Sequence, residues 1–379
     1  MPIATESGFP PTGAGFGAGR RALIVALLLS ASACGPGITD VVQRPPEDLS
    51  RGWVTATPAS VGVDGAQLAS AYDNARAIPG MRSLLVVRQG KLVGEEYFGG
   101  NRADSVNHLR SGTKTVTALL TGIALRQGAI RSTARTLTEV IPASVIAIPD
   151  DKRGITVKHL LTMTAGFQWN ETGVAEYNNW VLSSDQLAYV LARPLSDVPG
   201  QRFNYNSAAV HLLSAIIAEA TGKSERQFAQ ENLFTPLGIT DVRWETDSRG
   251  YNNGAAGLSL RPRDIAKIGA LILQEGYSGE SEIVPADWIR EISTAKTRGV
   301  WTFGNFGLLD YGDLLWLGRA GGDEVWLAQG YGGQAIVVVP ALDMVVVATS
   351  TWQGIGTYAG PQATTIIDLI LGEVLPAAR

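Results

Sequence analysis

Residues 107–130 read NHLRSGTKTVTALLTGIALRQGAI. A Ser-x-x-Lys step, Ser111-Gly112-Thr113-Lys114, opens a run with helical spacing. Val116, Leu119, Leu120 and Ile123 fall at i, i+3, i+4 and i+7, which predicts a helix with one apolar stripe. Gly128 stands where a helix-ending glycine is expected. A helix that starts near Ser111 sets Lys114 one turn on, on the same face, at an end whose partial positive charge favours anions. A serine hydroxyl is a poor nucleophile until a base removes its proton. A free lysine, with a pKa of about 10.4, cannot do so near neutrality, but burial lowers that value. The stretch therefore singles out Ser111 as an acyl-accepting nucleophile and Lys114 as its activating partner. The same pattern recurs at Ser293-Thr294-Ala295-Lys296. There it follows the helical run VPADWIREIS and reads as a polar helix end.

Composition narrows the classes. The chain has 379 residues, 45% of them hydrophobic, with 44 Gly and 18 Pro, as in a globular protein rich in turns. Net charge is −4 from 31 basic and 35 acidic residues. No basic block occurs, so a nucleic-acid partner has no electrostatic footprint. His108, His159 and His211 lack zinc-ligand spacing, and the single cysteine excludes an internal disulfide or a cysteine metal cluster. Neither metal nor organic cofactor is expected.

That cysteine, Cys34, follows Arg20-Arg21 and the apolar run ALIVALLLSASA, residues 22–33. These are the parts of an export signal, and the run is short for a bilayer span. Ala31-Ser32-Ala33-Cys34 resembles the end of a bacterial lipoprotein signal, with Cys34 as the lipidated residue. The reading is a signal peptide over 1–34 and a Pro/Gly-bearing tether over 35–50. The implied location is the bacterial periplasm, or a membrane through a lipid anchor, with an ordinary export signal or an uncleaved anchor as the alternatives.

Along the rest of the chain Asp64 is placed to cap a helix, and SLLVVRQGKLVGEEYF, residues 83–98, reads as a hairpin about Gln89-Gly90. From 111 to 250 helical patterns dominate: TVKHLLTMTAGFQW (156–169, capped by Thr156), SSDQLAYVLAR (183–193), SAAVHLLSAIIAEATGK (207–223, stopped at Gly222) and RQFAQENLFTPLG. Pro262 suits the first turn of RPRDIAKIGALILQEG. WLAQGYGGQAIVVVP (326–340) and DMVVVATST (343–351) read as two buried strands around a tight Pro340–Asp343 turn, and ATTIIDLILGEVL closes the chain as a helix. The pattern predicts an α/β unit from both ends of the chain, 51–110 and 251–379, around an all-helical block, 111–250.

The stretches HLRSGTKTVTALLTGIA, TVKHLLTMTAGFQW, GQRFNYNSAAVHLLSAIIAEATG, GLSLRPRDIAKIG and GYGGQAIVVVP, taken together and in this order, resemble the serine β-lactamase and penicillin-binding-protein-like hydrolases. The likeness is to class C β-lactamases and their esterase and 6-aminohexanoate-dimer hydrolase relatives. It implies an α/β (α+β) fold of the β-lactamase type, an antiparallel sheet flanked by helices plus an inserted all-helical domain, with the active site between them. The family's second element is a Tyr-x-Asn loop whose tyrosine is general acid and base. Tyr72, Tyr177 and Tyr251 each open a literal match, yet the matching context is Tyr205-Asn206-Ser207, with serine third, as in some esterase-like relatives. The resemblance thus implies Tyr205 as the proton shuttle and Ser207 as a substrate-side residue.

The family's third element, Lys-Thr-Gly on a strand, aligns with Ala328-Gln329-Gly330. Gly330 lets substrate approach the strand, and the backbone amides of Ser111 and Tyr331 are the implied oxyanion hole. Without that lysine, esters or amides lacking an obligatory carboxylate fit better than lactams, unless Arg263, Arg298 or Arg319 supplies the charge. Trp169 and Trp180 flank NETGVAEYNN, and Trp169 is a candidate pocket wall or cover of a core edge. His159 and His211 read as packed or capping. The expected activity is an exported serine hydrolase cleaving small-molecule ester or amide bonds through a Ser111 acyl-enzyme. A β-lactamase or D-alanyl-D-alanine peptidase is one alternative, and a non-catalytic envelope binding protein another. No Gly-x-Ser-x-Gly elbow supports a Ser-His-Asp enzyme.

Overall fold

Gln89 and Gly90 both take positive φ, +51° and +71°. A two-residue turn of that hand matches the twist of paired strands, and it joins β1 (Met81–Arg88) to β2 (Lys91–Tyr97) as the sequence predicts. The computed structural model describes residues 44–353 and 359–379. The signal segment, Cys34 and most of the tether lie outside the described residues.

Before the hairpin comes α1 (Gly65–Arg76), whose cap Asp64 accepts from the amides of Ala66 and Gln67 at 2.8 and 3.1 Å. After it come β3 (Asn107–His108), α2 (Thr113–Arg126), α3 (Leu137–Val140), α4 (Val157–Leu161), α5 (Ala175–Val181), α6 (Gln186–Leu191), α7 (Ser207–Thr221) and α8 (Glu225–Ala229). Then follow β4 (Arg243–Trp244), β5 (Leu258–Leu260), α9 (Pro262–Leu273), the small hairpin β6 (Tyr277–Ser278) and β7 (Ser281–Glu282), and α10 (Ala286–Ile292). The strands β8 (Thr297–Thr302), β9 (Leu308–Tyr311), β10 (Trp316–Ala320), β11 (Asp323–Gly330), β12 (Gln334–Val339) and β13 (Met344–Ser350) lead to the last helix, α11 (Ala359–Leu369).

Eight strands form one antiparallel sheet in the order β2-β1-β13-β12-β11-β10-β9-β8. Strands from the two ends of the chain meet where β1 pairs with β13, Leu85 opposite Val347. Every residue of β12 and β13 is buried, so both faces of the sheet's centre are covered. Helix α9 lies close on one face; a Cβ on Gly269 would come within 2.5 Å of Val345. β3, β5 and β4 form a separate small sheet.

Two readings are corrected here. Residues 326–340 are not one strand. Tyr331-Gly332-Gly333 turns the chain, with φ of +84° and +106° at the two glycines, and Gly330 pairs with Gln334 across the turn. Helix α2 is also not an amphipathic helix with one apolar stripe: every residue from Thr113 to Ala124 is buried. Its threonines are accommodated by local bonds, Thr115 Oγ1 to the Leu314 carbonyl and Thr121 Oγ1 to that of Thr117, both 2.8 Å. It is a central helix, packed against α7, α10 and β11. Among the described residues no helix is long and apolar enough to cross a membrane.

Candidate active site

Ser111 sits in a single 3-10 turn, Arg110–Gly112, that feeds directly into α2. The turn is pinned by the Gly112 amide to the Leu109 carbonyl at 3.0 Å and by the Arg110 amide to His108 Nδ1 at 2.9 Å. Arg110 has φ of +51°, a conformation that costs a non-glycine residue roughly 1–3 kcal/mol and tends to occur where function requires it. Met163 and Leu314, at +57° and +58°, adjoin the same region. Met163 takes the Asn204 amide on its carbonyl and the Asn206 amide on its sulfur, and Leu314 holds Thr115.

Lys114, one residue into α2, is 2% exposed. Its Nζ has three neighbours: Ser111 Oγ at 3.0 Å, Ser207 Oγ at 2.9 Å and the Ala255 carbonyl at 2.8 Å. Burial pushes its pKa down to about 7, with the positive charge of Arg110 adding to the fall and the carboxylate of Glu171 opposing it. Near neutrality a large share of this amine is therefore uncharged, as a base must be. Ser111 itself is only partly buried, so the hydroxyl remains reachable.

Tyr205 and Ser207 come from the start of α7, where Asn206 is the cap and takes the Ala209 amide at 2.9 Å. The Tyr205 ring lies 5.0 Å from Lys114 Nζ and stacks on Trp316 of β10 at 5.7 Å. Its phenol is hydrogen-bonded to Ser111, but burial above all, and then the Glu171 charge, raises its pKa well above the ordinary tyrosine range. It is a proton donor rather than a resident base at neutral pH. The three side chains singled out in the sequence, at 111, 114 and 205, therefore meet in one place.

Gly330 ends β11 directly against the serine turn. A Cβ there would fall 2.1 Å from the Leu109 carbonyl oxygen and 3.0 Å from Arg110 Cβ, so only glycine fits. Tyr331 follows it, with its ring 5.9 Å from the Arg110 guanidinium. Trp169 is buried, and its indole N–H donates to Glu171 at 2.8 Å; it reaches the site through that carboxylate. Trp180 is buried in α5 with its N–H on the Gln186 carbonyl.

Glu171 is the residue that sequence reading missed. One carboxylate oxygen takes the Ser207 hydroxyl at 2.5 Å, and the other takes the Ser207 amide and the Trp169 indole, both at 2.8 Å. Arg110 was missed too. Its guanidinium lies 5.2 Å from the Tyr177 ring and 5.0 Å from that of Trp352. Of the arginines considered from the sequence, Arg263 is engaged by Glu95 and Arg319 by the Gly322 carbonyl. The decoys resolve simply. Ser293 Oγ bonds back to the Ile289 carbonyl and Lys296 pairs with Glu291. The Tyr251 hydroxyl bonds Glu219. His159 completes a cap with Thr156, and His211 is buried on Asp247 at 2.9 Å. No group of metal-ligating side chains occurs among the described residues.

Known proteins carry the same arrangement of elements. The family model described as Beta-lactamase matches residues 66–369. The 6-aminohexanoate-dimer hydrolase of Paenarthrobacter ureafaciens is 24% identical over 307 residues, 76% of this chain and 77% of that protein. The D-alanyl-D-alanine-carboxypeptidase/endopeptidase AmpH of Escherichia coli (strain K12) is 27% identical over 157 residues, 40% of each chain. Among solved structures, the octameric penicillin-binding protein homologue from Pyrococcus abyssi superposes with a TM-score of 0.63 at 20% identity, over 82% of this chain and 77% of that one. With a family match that spans most of its length and the fold in agreement, the chain belongs to the Beta-lactamase family, serine hydrolases that act on amide or ester bonds.

Proposed function

We propose that the protein is an exported serine hydrolase that cleaves ester or amide bonds of small molecules through an acyl-enzyme on Ser111. The observation that carries this reading is the contact of a deeply buried lysine, its pKa brought down to about 7, with the Ser111 hydroxyl at 3.0 Å. Ser111 Oγ attacks the substrate carbonyl carbon as its proton passes to Lys114 Nζ. The developing oxyanion is met by the amides of Ser111 and Tyr331, two donors that removal experiments on other enzymes value at a few kcal/mol each. The Gly330 contact supports this by seating the strand end on the serine turn.

Tyr205 gives its proton to the leaving oxygen or nitrogen as the carbonyl bond to that atom breaks. The tyrosinate so formed takes a proton from the attacking water, the acyl–Ser111 bond breaks, and Lys114 returns its proton to Ser111. Shared electrostatic support from Lys114, 5.0 Å from the ring, favours the transient tyrosinate. Ala328 leaves the strand without a cation, and Arg110, among its aromatic rings, is the positive group beside the nucleophile.

A β-lactamase or D-alanyl-D-alanine peptidase is the second reading, favoured by the partial match to AmpH. A p-nitrophenyl ester panel run beside nitrocefin separates the two, with intact-mass trapping of the adduct on the Ser111 peptide. Ser111→Ala should lose turnover to the buffer rate with an unchanged melting temperature. Hydrolysis that survives in that variant rejects the proposal, and a wild-type protein that no fluorophosphonate labels revives the non-catalytic binding protein.

A further inference from the structure

We infer that Glu171 is a positioning residue of this site: by taking the proton of Ser207 it turns both N–H bonds of neutral Lys114 away from Ser111 and leaves the amine's lone pair for the Ser111 proton. The inference rests on the acyl-enzyme reading above and extends it to residues outside the Ser-Lys-Tyr set.

A neutral amine has two N–H bonds and one lone pair. Lys114 Nζ has three neighbours, so which of them receives the lone pair decides whether the lysine is a base toward Ser111. The Ala255 carbonyl only accepts, and therefore takes one N–H. It is held in place because Asn253 Oδ1 accepts from the Ala255 and Ala256 amides, each at 3.1 Å. Ser207 has a single proton, and at 2.5 Å that proton goes to Glu171 Oε1. Its oxygen faces Lys114 only as an acceptor and takes the second N–H. The lone pair is then left for Ser111, which donates.

The carboxylate is fixed for this task. Its other oxygen takes two N–H donors, from Ser207 and Trp169, at 2.8 Å each. Asn204 Nδ2 in turn ties the Phe167 and Trp169 carbonyls at 3.2 and 3.0 Å, which holds the loop that carries Glu171. An amide in place of the carboxylate must present its oxygen to those two N–H groups. Its NH₂ then faces Ser207 Oγ, reverses the bond, and sends the Ser207 proton toward the lysine lone pair. Glu171→Gln is thus a change of hydrogen-bond direction at almost constant shape.

The test is the pH dependence of p-nitrophenyl ester hydrolysis by the full chain carrying Glu171→Gln, Ser207→Ala or both. E171Q should lower plateau kcat by roughly 10- to 100-fold, up to the low end of the 10²–10⁴-fold that a positioned base supplies, because the base itself remains, with KM nearly unchanged. The Glu171 charge raises the Lys114 pKa, so its loss should move the acid limb of kcat/KM to lower pH, which a merely structural role would not do. Because Glu171 acts through the Ser207 hydroxyl, E171Q should cost little further in the S207A background. A wild-type plateau with an unmoved limb in E171Q, or losses that simply add in the double variant, overturns the inference. Should E171Q fail to fold, S207A decides alone: a folded S207A enzyme with wild-type kcat also overturns it. A wild-type protein that forms no Ser111 adduct defeats the acyl-enzyme reading itself, whereas an adduct with E171Q unaffected defeats only the role of Glu171.

Discussion

Arg110 shows how much one residue's surroundings decide. In the sequence it is the basic residue before a serine; in the fold its backbone takes φ of +51° and its guanidinium is ringed by Tyr177, Tyr331 and Trp352 at 5.2, 5.9 and 5.0 Å. A cation stacked on rings keeps its charge and can still offer N–H groups at their edge. Arg110→Gln should therefore raise KM for esters with a carboxylate near the scissile carbonyl by about 10-fold, the cost of one such ionic contact, while KM for neutral esters stays within about 2-fold by the same reckoning. Equal effects on both ester classes would remove the assignment. Ser111 and Lys114 were legible because they share one short motif at a helix start, whereas Tyr205 was legible only through the family context of its loop, since the literal motif matches lie elsewhere. Glu171 was not, since its partner Ser207 lies 36 residues away and a glutamate in a polar loop reads as solvated. The signal available was its place two residues after Trp169, together with a serine where the family usually has asparagine.

At the scale of elements, the helices announced themselves through caps and stops that are local. Asp64, Thr156, Pro262 and Gly222 stand where the sequence placed them. The strands β8, β9 and β10 did not. β8 is an edge strand whose residues are mostly exposed, so it lacks the apolar run that marks a buried strand, and Gly299, Gly307 and Gly312 break the alternation. The 326–340 run looked like one strand because both of its halves are buried and apolar, and only the paired glycines 332 and 333 mark the reversal. The most consequential contact between elements is that of β11 with the serine turn. Gly330→Ala would set a methyl 2.1 Å from the Leu109 oxygen, and backbone cannot yield as a side-chain tip does. The strand end must move, so kcat should fall at least about 10-fold, because loss of a single oxyanion donor alone costs 10²–10³. The check is a kcat measurement on a variant whose unfolding midpoint is followed in parallel.

For the molecule as a whole, two buried titratable groups tie stability to pH in opposite senses. Glu225, fully buried, has its pKa pushed up to about 7 by burial, against the pull of Ser214 and Thr117. The hydrogen bonds agree. Thr117 Oγ1 lies 2.8 Å from both the Gly254 carbonyl and Glu225; its one proton goes to the carbonyl, so the carboxyl must be the donor and carry a proton. A carboxyl whose folded pKa is raised contributes stability that is complete below its ordinary value of 4.5 and is lost as pH rises through about 7. Glu225→Gln keeps the donor without the ionisation. Relative to wild type it should gain stability as pH rises from 5 to 8, on the order of 1–3 kcal/mol, measured by urea unfolding; parallel curves for the two proteins would contradict this. Lys114 behaves conversely. Its folded pKa of about 7 against 10.5 means a penalty present below 7 that is relieved as pH climbs toward 10.5. The seam between β1 and β13 has a further consequence. The sheet's second and third strands are made roughly 260 residues apart, since Met81 faces Ser350 and Arg88 faces Met344, and the glycine that seats the serine turn arrives at 330. A ribosome that has already released Ser111 still holds the part of the chain that seats its turn. A chain stopped before residue 330 lacks the strand end that seats the serine turn, and one stopped before 344 leaves β1 without its neighbour in the sheet, so the candidate site depends on nearly the whole length of the chain.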